Sequence, residues 1–304
     1  MRTERPTDTT LPCLIHALTH PNLFSLHLLR RHRPFSHSTM MNITRTARRF
    51  MSRRPIVGGN WKCNPVSASK LPELVANIQN CDTSKCDVYY CPSPLHVALC
   101  STTNGAFLAP QNMNFGGCGA YTGEMAADQM VDMGIKWVLI GHSERRGEFG
   151  LPTPKESDEL LATKCKYALE KGLKVVFAIG EPLPVREKGL DAVLAYCVEQ
   201  LKGIADVMDP EKIVIAYEPV WAIGTGVTAS PEQAQETHAA IRKWISDTVS
   251  PSVAAGIRIQ YGGSANAKNA PELSAMPDID GFLVGGASLK PEFIDIVKAI
   301  SAAK

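Results

Sequence analysis

The chain has 304 residues, 44% of them apolar and 20% charged, and carries a formal net charge of +2. That composition describes a globular protein with material for one large core or two ordinary ones, and no run approaches the 18 apolar residues of a membrane span. The net charge conceals an asymmetry: residues 1–54 hold ten Arg, no Lys, Glu4 and Asp8, a net +8, and the remaining 22 basic and 28 acidic residues leave 55–304 at −6. An acidic body offers no nucleic-acid surface. Any anion it binds must be met by a few local donors.

The basic segment comes first. Leu23–Arg31 and Met41–Met51 are short amphipathic stretches, the second placing Arg45, Arg48 and Arg49 around Ile43, Ala47 and Phe50. Residues 1–54 read as a leader: an Arg- and Ser-rich, acid-poor transit peptide, mitochondrial in preference to plastid. The alternatives are a disordered leader, or a cytoplasmic protein whose translation starts at Met40, Met41 or Met51. Fold reasoning begins at residue 55.

From there eight short apolar runs follow one another: 56–60, 87–91, 106–110, 137–141, 174–180, 212–217, 257–261 and 281–284. Runs such as Trp137-Val138-Leu139-Ile140 show no polar alternation, as expected of parallel strands buried on both faces. Helical patterns lie between them, near 155–171, 188–207 and 231–249. Thr153-Pro154-Lys155-Glu156 and Ser230-Pro231-Glu232-Gln233 each offer a cap, an early Pro and an acid or amide to close a capping box. Strict strand–helix alternation over about 250 residues fits an open doubly wound sheet or an eight-stranded α/β barrel. Eight units, without a G-x-G-x-x-G after the first strand, favour the barrel. No linker divides 55–304, which is taken as one domain.

Nine Cys stand at irregular spacings with no C-x-x-C pair, which points to reduced thiols in a reducing compartment. Cys63 lies in a loop, and the other body thiols are expected to be buried. The only His residues of the body, His96, His142 and His238, are unrelated in spacing, so no metal site is expected. Nothing suggests a nucleotide cofactor.

The most telling string is Ala216-Tyr217-Glu218-Pro219-Val220-Trp221-Ala222-Ile223-Gly224-Thr225-Gly226. A buried strand delivers one carboxylate, Glu218, into a Pro-anchored loop ending in two glycines. A carboxylate so placed, beside a loop able to close, suits proton transfer sealed from water. This string resembles the catalytic-base and lid segment of the triosephosphate isomerase family. So do Gly58-Gly59-Asn60-Trp61-Lys62-Cys63-Asn64-Pro65, Gly119–Glu124, Ile140–Arg146, Tyr261–Ser264 and Gly281–Leu289, in that family's order over about 250 residues.

The resemblance implies the eight-stranded parallel (β/α)8 barrel over 55–304, and the interconversion of dihydroxyacetone phosphate and D-glyceraldehyde 3-phosphate without metal or cofactor. It implies catalytic roles for Glu218 as base, His142 as electrophile and Lys62 as the charge that steadies the enediolate. In that family the corresponding histidine works as a neutral imidazole at a helix N-terminus. Asn60, Lys62, Gly224, Ser264, Gly285 and Gly286 are the implied substrate contacts, the glycine-rich loops serving the phosphate. Ser143 and Glu144 are implied to support the site from behind, Glu144 through Lys62. The family forms homodimers in which the loop 111–124 enters the partner beside Cys63. Val227, Ala178, Pro182 and Pro184 depart from the family's usual pattern without removing a reacting group. Two other readings stand beside this one: a catalytically silent barrel that only binds, and an isomerase of another phosphosugar.

Overall fold

The structure, a computed structural model, describes residues 53–100, 105–148, 155–225 and 227–304. The readings made for residues 1–52, for Thr153 and Pro154 and for Gly226 lie outside the described residues.

Eight strands form where the apolar runs predict them: β1 Ile56–Asn60, β2 Asp87–Cys91, β3 Phe107–Leu108, β4 Trp137–Ile140, β5 Lys174–Ile179, β6 Ile213–Tyr217, β7 Arg258–Tyr261 and β8 Gly281–Val284. Every pairing is parallel, in the order β3-β2-β1-β8-β7-β6-β5-β4. β3 is two residues long where five were expected. Pro110 has no N–H to extend the ladder. Its carbonyl accepts the Leu139 N–H at 2.9 Å, and that bond joins β3 to β4 and closes the ring.

Ten helices lie among the described residues: α1 Leu71–Gln79, α2 Ala127–Asp132, α3 Ser143–Arg146, α4 Asp158–Glu170, α5 Leu183–Arg186, α6 Leu190–Lys202, α7 Pro231–Thr248, α8 Pro251–Gly256, α9 Ala270–Ser274 and α10 Glu292–Ala303. The Ser230 capping box is present: Ser230 Oγ accepts the Gln233 N–H at 3.2 Å, and Gln233 Oε1 accepts the Ser230 N–H at 3.0 Å. α4 starts later than its pattern suggested. Ser157 caps it through the Leu160 N–H at 3.3 Å, and Asp158 and Glu159 supply the acidic first turn. Both features favour that start over one at residue 155. Pro182 and Pro184 open the single turn α5.

Alternation along the strands sorts their side chains into two layers. Ile56, Tyr89, Cys91, Trp137, Leu139, Val176, Ala178, Val214, Ala216 and Leu283 fill the barrel interior. Val57, Val88, Tyr90, Val138, Ile140, Phe177, Ile213 and Ile215 pack outward against the helices. Gln260 is a polar group of the interior: it accepts the Tyr89 O–H at 2.7 Å and donates to the carbonyls of Ile56 and Phe282, both at 2.9 Å. Gly58 admits the Tyr89 ring, because a Cβ there would lie 2.0 Å from it.

The floor of the barrel is ionic. Arg53 Nε donates to Asp280 Oδ1 at 2.6 Å, and Arg242 holds the other oxygen at 2.6 Å. Arg54 and Arg258 meet at Asp87, at 2.6 and 2.7 Å. Arg53 and Arg54, which charge alone assigned to the leader, are thus tied to the strands that flank β1.

Candidate active site

In an α/β barrel the loops after the strands' C-terminal ends share one rim. Asn60 ends β1 and Lys62 follows it, His142 follows β4, Glu218 β6, Ser264 β7, and Gly285 and Gly286 β8. With Gly224 these residues line one cavity of about 350 Å³. Gly262, Gly263, Asn266, Lys290 and Glu292 also line it. The two glycines stood in the Tyr261–Ser264 motif without being singled out, and the other three carry no motif that separates them from ordinary loop residues.

Glu218 is buried at the end of β6 with both oxygens engaged. Oε1 stands 3.0 Å from His142 Nε2, and Oε2 accepts the Ser143 N–H at 2.9 Å. Burial works to raise its pKa, while the hydrogen bonds from His142 and the Ser143 N–H and the charge of Lys62 work against it, and the carboxyl lies below its ordinary value. It is ionised at neutral pH, as a proton acceptor must be. The space around it is made by glycines on the neighbouring strand ends: a Cβ at Gly180 would fall 1.7 Å from the Glu218 carbonyl oxygen, and one at Gly262 would fall 2.7 Å from its Cγ.

His142 is the cap of α3. Its Nδ1 accepts the Glu144 N–H at 3.1 Å. A nitrogen that accepts carries no proton, so the ring is neutral with its hydrogen on Nε2, directed at Glu218. Ser143 acts through its backbone, while its hydroxyl finds no hydrogen-bond partner. Glu144 reaches Lys62 Nζ at 2.6 Å.

Lys62 is the one described non-glycine residue with positive φ, at 51°. That conformation costs a side-chain-bearing residue roughly 1–2 kcal/mol. Two side chains fix it: Asn60 Oδ1 accepts the Lys62 N–H at 3.0 Å, and Gln111 Nε2 donates at 2.8 Å to the carbonyls of both Lys62 and Cys91. Asn60 therefore spends its oxygen on the turn and keeps its amide N–H groups for the cavity. Gln111 carries no sequence signal of this role, since it opens a long polar loop.

The segment that the resemblance reads as a lid begins at Pro219. Trp221 Nε1 donates to Glu181 at 2.8 Å, as does Tyr217 O–H at 3.1 Å. Burial raises the pKa of Glu181 against these two hydrogen bonds. Ser264 Oγ donates to the Ala222 carbonyl at 2.6 Å, so in this state the hydroxyl holds the lid. Gly224 has φ of 69°, and neither it nor Gly286 has an atom within 4 Å of where a Cβ would stand. Backbone can approach a ligand closely at both. Among the described residues no three His, Cys, Asp or Glu gather as a metal site, and no helix is long and apolar enough to cross a membrane.

One expectation is corrected. Cys118 is exposed like Cys63, whereas Cys81, Cys86, Cys91, Cys100, Cys165 and Cys197 are buried. Cys118 lies in the glycine-rich part of the loop 111–124, where no strand or helix packs over it.

The family model described as triosephosphate isomerase matches residues 55–300. The chain is 46% identical over 254 residues to triosephosphate isomerase of Neurospora crassa, covering 82% of this chain and 99% of that protein. It is 47% identical over 258 residues to the protein of the same name from Coprinopsis cinerea, covering 83% and 100%. With the rye (Secale cereale) protein named triosephosphate isomerase, chloroplastic, identity is 48% over 254 residues and coverage 82% of each. A matched barrel of some 250 residues, with Glu218, His142 and Lys62 gathered on its rim, leaves a single assignment: the chain belongs to the triosephosphate isomerase family.

Proposed function

We propose that the chain interconverts dihydroxyacetone phosphate and D-glyceraldehyde 3-phosphate by proton transfer through an enediolate. The observation that carries this reading is the contact of Glu218 with a neutral His142 at 3.0 Å inside the cavity that Lys62 also lines. A substrate carbonyl oxygen that takes the His142 Nε2–H displaces Glu218 Oε1 and frees the carboxylate to face the adjacent carbon. Glu218 takes a proton from that carbon, and the electron pair moves to the carbonyl oxygen, where His142 and Lys62 stabilise the charge. Glu218 then returns the proton to the neighbouring carbon, while His142 gives its Nε2 proton to the original carbonyl oxygen and takes the hydroxyl proton from the other oxygen, which becomes the new carbonyl. No electron leaves the substrate, so no redox partner is needed.

Asn60 orients the substrate by its amide. The phosphate lies against the backbone of Gly224, Ser264, Gly285 and Gly286, since Lys62 serves the reacting end. Glu144 holds Lys62 in place, and Ser143 parks the base between turnovers. The test is a coupled assay with each triose phosphate as substrate. Turnover of neither, with the barrel folded, refutes the reading, and turnover of another phosphosugar alone replaces the substrate.

The active form on this reading is a homodimer. Val66, Leu95, Leu99, Phe115 and Tyr121 are exposed, and all five stand in segments that follow the adjacent strands β1, β2 and β3. Apolar side chains concentrated in this way mark a contact surface, and sedimentation equilibrium tests it. We further infer that residues 1–52 address the chain to the mitochondrion. The plastid and the cytoplasm are the opposing outcomes of fusing them to a fluorescent reporter.

A further inference from the structure

The single turn α3 carries more of the site than any other segment. His142 caps it, the Ser143 N–H holds Glu218, and Glu144 holds Lys62. Four residues do not keep a helical shape unaided, so their direction must be fixed from outside.

Arg146, the last residue of the turn, is placed to do this. Its side chain is 6% exposed. Nε donates to the Gly141 carbonyl at 2.7 Å, Nη2 to the Ala178 carbonyl at 2.8 Å and Nη1 to Asp158 Oδ1 at 2.5 Å. The guanidinium also lies 5.9 Å from the centroid of the Phe177 ring. The β4–β5 ladder ends at the pair Ile140 and Phe177. Gly141 and Ala178 are the next residues on each strand, so the guanidinium supplies one further rung beyond the last backbone pair. There the chain turns out of the sheet at Gly141, with φ of 83°, and a Cβ at that position would lie 2.9 Å from both the Ala178 oxygen and Arg146 Nη2. The next residue is His142.

We propose that Arg146 is a positioning residue: it fixes the direction in which the chain leaves β4, and with it the aim of His142 Nε2, the Ser143 N–H and Glu144. It touches neither substrate nor reacting atoms. The inference rests on the isomerase reading for what the aim accomplishes. The two carbonyls and the carboxylate are met by three different nitrogens of a planar fork, a spacing that the single nitrogen of a lysine does not reproduce.

The experiment is Arg146→Lys in the full-length chain, followed by steady-state kinetics and by ¹⁵N NMR of the His142 ring. Misaiming by a fraction of an ångström should lower kcat by roughly 10²-fold with KM changed less than threefold. The ring, having lost the Glu144 N–H, should pass from one tautomer to a mixture. Added guanidinium should restore part of the activity of Arg146→Ala. A folded Arg146→Lys protein with wild-type kcat and an unmixed tautomer overturns the proposal, as does a loss of thermal stability alone. If Arg146→Lys does not fold, Asp158→Asn decides: it should lower kcat several-fold in the same direction, and unchanged kcat and tautomer overturn the proposal. An inactive wild type refutes the isomerase reading, while the tautomer measurement still tests Arg146.

Discussion

The Glu144 N–H points at Nδ1 of His142 from 3.1 Å, and this one contact sets which end of the ring carries a proton. It makes Nε2 the donor and the imidazole uncharged, so the electrophile of the proposed reaction is fixed by a backbone amide.

Glu218→Gln keeps the shape of the base and an oxygen for the Ser143 N–H, and removes the ability to take a proton. kcat should fall by roughly 10²–10⁴ with KM little changed. A loss below tenfold in the purified variant removes Glu218 from the role of base.

Lys62→Met removes one of the few cations at the cavity, and with it the ammonium that Glu144 holds at 2.6 Å. kcat/KM for the phosphosugar should drop by at least about 10³-fold, near 4 kcal/mol of transition-state stabilisation. Glu144→Gln, which keeps an oxygen near Nζ, should cost tenfold or less. Equal losses in the two variants would contradict the assignment of Glu144 as support for Lys62.

His238 gives the fold a pH dependence of its own. Burial lowers its pKa to about 3 from the usual 6.5, against the hydrogen bond to the Asp278 carbonyl, and Arg242 lowers it further. Above pH 6.5 neither the folded nor the unfolded chain carries this proton, so nothing is lost. As pH falls from 6.5 towards 3 the unfolded chain binds a proton that the folded one refuses. This site should therefore take away stability with a slope approaching about 1.4 kcal/mol per pH unit. Denaturant titrations between pH 7 and 4 should show a shallower dependence in His238→Gln. Parallel curves would refute the assignment.

Truncation separates Arg53 and Arg54 from what precedes them. A chain beginning at Ser52 should match the full-length protein in Tm and kcat. One beginning at Pro55 loses both arginines from Asp280 and Asp87. Arg54 is half exposed and its pair contributes little. At about 1–3 kcal/mol for the partner removed from buried Asp280, and about 2–4 °C per kcal/mol for a domain of this size, Tm should fall by about 2–12 °C. Equal Tm values for the two chains would show that these ion pairs contribute nothing.

The two exposed thiols test the dimer. If the loop 111–124 docks beside Cys63 of a partner subunit, an adduct on either Cys63 or Cys118 should slow association and lower activity, and Cys63→Ala with Cys118→Ala should resist. Sedimentation and turnover after alkylation are the measurements. Modified wild type that stays dimeric and active rejects this surface as the interface.

The strands and their order were legible because a parallel barrel buries both faces of every strand, and uninterrupted runs such as Trp137–Ile140 announce that. The reacting residues were legible through a family resemblance carried by long motifs. α3 and α5 were not, because one turn has no periodicity to read and owes its shape to contacts such as Arg146 with Gly141. Gln111 and Arg146 were invisible as site residues for a related reason: each works by hydrogen bonds to carbonyls far off in the chain, and any residue type supplies a carbonyl. The α4 start moved because Ser157 with Asp158 and Glu159 is a better cap than the Thr153–Glu156 string. Arg53 and Arg54 were grouped with the leader because charge density is a property of composition, and their partners Asp280 and Asp87 are distant in sequence.

Gly180 and Gly262 contribute no side chain, and their importance lies in that absence. Gly180 lets the Glu218 backbone pass against the end of β5, and Gly262 leaves room beside the Glu218 side chain. A single added methyl at either would meet Glu218 itself, at its carbonyl oxygen or its Cγ. On the exposed faces of the outer helices added bulk meets only solvent, whereas here the smallest possible enlargement meets the backbone or side chain of the base. Tolerance to change at this rim is therefore governed by empty space as much as by reactive groups, and the residues with least chemistry are among those with least freedom to vary.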